Sequence, residues 1–165
     1  MRHTISVLVE NKFGVLARIA TLFAARGFNI DSLAVGETDD PAISRMTIVV
    51  KGGESVLEQV TKQLNKLVDV IKVNDFNGVE YVARGLALIK INSNKSNRVE
   101  IIKLAAVFRG RIVDIAQDSM VVEITGDEDK IDAFLETVRS YGVKEVCRTG
   151  EVALARGAGG SSGKV

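Results

Sequence analysis

One order of hydrophobic periodicities is written twice along this chain, and it limits the folds available. Ile5, Val7 and Val9 alternate with Thr4, Ser6 and Leu8, the period-two pattern of a strand. Leu16, Ile19, Ala20 and Phe23 then recur at helical spacing, and Gly27 stands where a left-handed helix end is usual. A strand from Phe28 to Val35, a polar turn in "ETDDPA" and a third strand in "ISRMTIVVK" follow. Ser55 and Glu58 have capping-box spacing before a helix lined by Leu57, Val60, Leu64 and Leu67, and a fourth strand is expected near Val68 to Val73. The order is β-α-β-β-α-β.

The second half repeats it. "GLALIKI" reads as a strand and "NRVEIIKLAAVFRG" as a helix, with Asn97 and Glu100 at cap spacing. "RIVDIA" and "MVVEIT" form a hairpin pair. Thr125 and Glu128 again precede a helix, carrying Ile131, Phe134, Leu135 and Val138, and "VKEVCRT" closes the unit. Arg26, Gly27 and Asp31 are echoed by Arg109, Gly110 and Asp114 at equal spacing. The expected class is therefore α+β, two ferredoxin-like βαββαβ sandwiches. The domains are expected at 1–77 and 78–155, with 156–165 a flexible Gly/Ser-rich tail.

Composition removes several functions. The net charge of +1, from 22 basic and 21 acidic residues, supplies no global field for nucleic acid or anionic lipid. Trp is absent and the central strands lack the stacked aromatics of RNA-recognition modules. No apolar run reaches a membrane span, so neither a membrane nor a nucleic-acid partner is expected, and a soluble cytoplasmic protein is. The single histidine, His3, lies in the first strand, a poor place for general acid–base chemistry. Phosphate-loop signatures are missing. Glu37, Asp39 and Asp40 read as a solvated turn before Pro41 rather than as a cation site, and Cys147, the only cysteine, as a buried strand residue. No catalytic and no metal-binding residue is assigned.

The loop "ENKFG" carries the binding chemistry. The first N–H groups of a helix lack intrahelical partners and favour an anion. Gly14 permits a close approach, and Asn11 offers a donor and an acceptor, which suits a free amino acid. The ligand's carboxylate is then expected on the N–H groups of Gly14, Val15 and Leu16. The competing reading is that Asn11 caps the helix and Gly14 makes the turn. The second half has "NSNKSN" in place of this loop, so only the first half looks equipped for a small ligand.

The motifs "N-x-x-G-V-L-x-R", "R-G-[FY]-N-I-[DE]-S-L", "T-D-D-P-x-x-S-R-M-T", "KQLNKLVDVIKV" and "FRGRIVDIA" resemble the small, regulatory subunits of acetolactate synthase, with their N-terminal ACT domain, over about residues 1–155. Phe13 stands where many relatives carry a small or polar residue. The resemblance implies a non-catalytic homodimer in branched-chain amino-acid biosynthesis. It implies that a separate large catalytic subunit holds thiamine diphosphate, a divalent metal and FAD, none of them on this chain. It implies feedback by L-valine bound between two ACT domains; one methylene is worth only about 1–3 kcal/mol in a pocket, so isoleucine and leucine are expected as near competitors. Asn11, Gly14, Val15 and Leu16 would come from one chain, and Asn29 and Ile30 from the other. An ACT-type amino-acid sensor serving a different client enzyme is the alternative.

Overall fold

A computed structural model describes residues 1–157; the expected tail falls almost wholly beyond them. Chain contacts divide into two compact units. Among the described residues the first comprises 1–82 and 150–157; the second comprises Ala83–Thr149.

In the first unit the strands are β1 (Arg2–Glu10), β2 (Ile30–Glu37), β3 (Ile43–Lys51) and β4 (Val70–Asp75), and the helices are α1 (Val15–Ala25) and α2 (Glu54–Leu64). The sheet order is β2-β3-β1-β4, with each neighbouring pair antiparallel. Ile5, Val7 and Val9 of β1, with Met46, Ile48 and Val50 of β3, form the face packed under the helices. Val15, Ile19 and Phe23 from α1, and Leu57, Val60 and Leu64 from α2, close that core. The buried stripe of α1 is thus turned by one residue from the expected one: Val15 is 3% exposed and Leu16 is 45% exposed. After α1, Gly27 adopts φ +69°, and the N–H of Phe28 reaches back to the Phe23 carbonyl at 3.0 Å. That is a left-handed helix end, as its glycine led us to expect.

The second unit follows the same order through β5 (Tyr81–Asn92), α3 (Arg98–Val107), β6 (Arg111–Ile115), β7 (Ser119–Gly126), α4 (Glu128–Val138) and β8 (Val143–Arg148), with sheet order β6-β7-β5-β8. Its core joins Ala87, Ile89 and Ile91 to Met120, Val122, Ile124, Ile101 and Phe134. Two ferredoxin-like sandwiches are therefore present.

Several local expectations are corrected. Ser55 lies inside α2, whose cap is Gly53 with no side-chain bond. The cap of α4 is Asp127, whose carboxylate accepts from the Lys130 N–H at 3.0 Å, and not Thr125. The repeated Arg-Gly pair is not conformationally repeated: Gly27 takes positive φ in the first unit, but Arg109, at φ +55°, takes it in the second. Gly110 is needed for space, because a Cβ there would overlap Ile124 Cδ1 and crowd the Glu123 carbonyl. Cys147 is exposed rather than buried. It stands opposite Leu88 on edge strand β8, and Leu88 alternates with Ala87 and Ile89, so Cys147 lies on the face turned away from this unit's helices.

A last strand, β9 (Val152–Ala155), had no counterpart in the sequence reading, which gave residues up to 155 to the second domain. By contacts, residues 150–157 group with the first unit. β9 pairs with β5, whose first residues, Tyr81 and Val82, also belong to the first unit. Ala153, 3% exposed, sits against the back of the first sheet and donates its N–H to Thr47 Oγ1 at 3.4 Å.

Candidate functional site

The chain leaves β1 through a loop that is firmly tied. The Asn11 N–H donates to the Ala42 carbonyl at 2.7 Å. The Asn11 side-chain amide donates to the Pro41 carbonyl at 2.9 Å and to Glu37 Oε1 at 3.0 Å. Asn11 therefore does not cap α1. It joins the helix-entry loop to the turn between β2 and β3, and its donor is already in use. That turn is built by Thr38 and Asp40: Asp40 Oδ1 accepts from the Ala42 N–H at 2.9 Å, and Thr38 Oγ1 donates to the Ile43 carbonyl at 3.2 Å.

The helix cap is Gly14, at φ +81° with no side-chain capping bond. An L-residue is strained there, and glycine leaves its backbone open to approach. Val15 is a core side chain whose N–H donates to the Lys12 carbonyl at 3.4 Å, whereas exposed Leu16 offers apolar surface. Phe13 is fully exposed and makes no wall within one chain.

Sequence reading missed Arg18, which follows Gly14 by one helical turn. Its Nη1 lies 3.5 Å from where a Cβ on Gly14 would stand. Its Nε and Nη2 are held by Asp69 Oδ2 at 2.8 and 2.7 Å. The guanidinium thus presents one edge to the helix entrance, where a carboxylate gains from both the cation and the helix dipole. The (i, i+4) spacing of Gly14 and Arg18 carried this signal; nothing in the sequence pointed to Asp69.

Asn29 and Ile30 lie elsewhere. Asn29 Nδ2 donates to Asp31 Oδ1 at 3.2 Å, and Asp31 pairs with Lys51 at 2.8 Å. Ile30 is opposite Val50, whereas Glu37, at the other end of β2, is opposite Ser44. These positions are six residue steps apart along β3, about 20 Å of strand. Within one chain the two halves of the expected site do not meet. The β2 edge is free of neighbouring strands among the described residues.

Other candidates are quiet. His3 is 5% exposed, and its Nε2 donates to the Gly52 carbonyl at 3.1 Å, the geometry of a satisfied core histidine. Among the described residues no group of His, Cys, Asp or Glu is placed to hold a metal ion, and no helix is long and apolar enough to cross a membrane.

Fold and loop together define a tandem α+β chain whose first unit is an ACT-type domain. Residues 5–72 match the family model of the AHAS small subunit-like ACT domain, and residues 84–157 match that of the small subunit of acetolactate synthase. The chain belongs to the acetolactate synthase small-subunit family. It is 55% identical over 157 residues to a probable acetolactate synthase small subunit of Archaeoglobus fulgidus, covering 95% of this chain and 98% of that one. It is 51% identical to the acetolactate synthase small subunit of Aquifex aeolicus, covering 94% of this chain and 81% of the other. The crystal structure of the acetolactate synthase small subunit from Thermotoga maritima superposes with a TM-score of 0.86 at 42% identity, covering 95% of this chain and 98% of that chain.

Proposed function

We propose that this chain is a homodimeric regulatory subunit that activates a separate acetolactate synthase catalytic subunit and confers feedback inhibition by L-valine. Valine lies at the seam between two ACT domains. The catalytic subunit, with thiamine diphosphate, a divalent metal and FAD, carries the chemistry. The ACT domain is placed at 1–77 and the C-terminal ferredoxin-like domain at 78–155, a reading supported by the division of the chain into two compact units near residue 82.

The observation that carries this reading is the separation of Asn11 and Gly14 from Asn29 and Ile30 along a sheet whose β2 edge is open. A two-fold pairing of β2 covers a hazardous edge and brings the halves together. The carboxylate would rest on the first-turn N–H groups beside Arg18, with Leu16 and the partner's Ile30 as apolar contacts. Ligand binding favours one dimer arrangement and the catalytic subunit the other, a coupling of about 1–3 kcal/mol.

Calorimetric titration with L-valine tests the site, with Gly14→Asp beside it. Saturable binding of about one valine per chain, abolished in the variant while activation of the catalytic subunit survives, is the expected result. Unchanged binding in Gly14→Asp would place the ligand elsewhere. Capture of another client in place of the thiamine-dependent subunit would favour an ACT sensor of different employment.

A further inference from the structure

We infer that residues 150–155 are a strap that sets the register of β2 and so positions the β2 half of the proposed amino-acid site; the second clause rests on that reading. Among the described residues β2 is an edge strand whose one strand neighbour is β3. Its register shifts between Ile30, opposite Val50, and Ser32, opposite Val49. Val50 belongs to the face under the helices, whereas Thr47, on the face of Val49, meets β9. The bulge at Asp31 therefore turns Ile30 towards the helices and Ser32 towards the back of the sheet.

The strap takes hold at that point. The Glu151 N–H donates to Ser32 Oγ at 3.0 Å, a bond that exists only while the bulge turns Ser32 to the back. Gly150 lies so close to β2 that a Cβ would overlap the Leu33 carbonyl and crowd the Ala34 nitrogen. Ala153 is bonded to Thr47 of β3, the Arg156 N–H donates to the Glu80 carbonyl at 2.9 Å, and Arg2 pairs with Glu151 at 3.4 Å. A one-residue slip of β2 would reverse its faces, remove Ser32 from the strap and re-aim Ile30. Gly150, Glu151 and Ser32 are thus positioning residues.

The test uses the full chain and four variants: Ser32→Ala, Ser32→Thr, Gly150→Val and Thr47→Val. Hydrogen exchange at β2 amides and L-valine titration are read together, because exchange reports local opening. Ser32→Ala is expected to raise exchange at Leu33–Val35 by about fivefold, the worth of one hydrogen bond, with β1 unchanged. It should weaken valine binding by a similar factor, and Ser32→Thr should restore both. Gly150→Val should act in the same direction more strongly; if it does not fold, Thr47→Val, which removes the bond to Ala153 at nearly unchanged volume, takes its place. Unaltered β2 exchange in Ser32→Ala and Thr47→Val would overturn the strap. Raised exchange with unaltered valine affinity would overturn its link to the site. Absence of valine binding in the unmodified chain would count against the proposed function instead, and the exchange measurement would still decide the strap.

Discussion

Asn11 donates its side-chain amide to the Pro41 carbonyl at 2.9 Å, and the same nitrogen reaches Glu37, so one residue fastens the entrance of α1 to the far end of β2. Asn11→Ala should free the 37–42 turn and weaken valine binding by about tenfold, with a stability loss of about 1 kcal/mol. Calorimetry and urea denaturation measure the two effects. A stability loss with unchanged binding would reduce Asn11 to a loop tie.

Arg18 and Asp69 make the second prediction. Charge-assisted bonds are worth about 1.5–3 kcal/mol, so Arg18→Gln should lower valine affinity by about tenfold or more. Asp69→Asn, which loosens the guanidinium but leaves its charge, should cost less. Valinamide, lacking the carboxylate, should bind poorly to the unmodified chain and equally poorly to Arg18→Gln.

Gly27 and Gly110 separate two uses of glycine. At Gly27 an added Cβ meets nothing, but φ is +69°, so Gly27→Ala should cost about 1 kcal/mol of backbone strain. At Gly110 the backbone is unstrained and the space is filled by Ile124, so Gly110→Ala should cost about 1–3 kcal/mol through overpacking. Chemical denaturation of the two variants should rank Gly110→Ala as the more damaging.

Asp31 supplies a pH dependence. The hydrogen bond from Lys51 holds its carboxyl below the usual carboxylate range, against a smaller opposing effect of desolvation. The folded state then binds fewer protons than the unfolded one. The pair's contribution is full above the unfolded value of about 4 and is lost as pH falls through the depressed folded value. Lys51→Met should destabilise the chain near neutral pH, and the difference from the unmodified protein should vanish in acid. Urea midpoints across that range provide the check.

Cys147 should react with a thiol reagent in the native protein, at about one thiol per chain and without waiting for unfolding. Protection until denaturation would mean that its face of β8 is covered in the assembled protein.

Much of this protein was legible in its letters because local periodicity is a local property. Alternation at Ile5, Val7 and Val9, helical spacing at Ile19 and Phe23, and Gly27 after α1 each depend on a few neighbouring residues, and the two βαββαβ units follow from their order. The helix-entry loop was found for the same reason. What depended on partners distant in sequence was not. The rotation of α1 that buries Val15 and exposes Leu16 is set by the sheet beneath it. The side chain of Cys147 took its side from β5, across the sheet. Arg18 gained its direction from Asp69, 51 residues away, and Ser32 met Glu151, 119 residues away. A sequence pattern specifies which face a residue offers; only the packed chain determines what meets that face, because such contacts join segments whose separation in sequence carries no periodic signal.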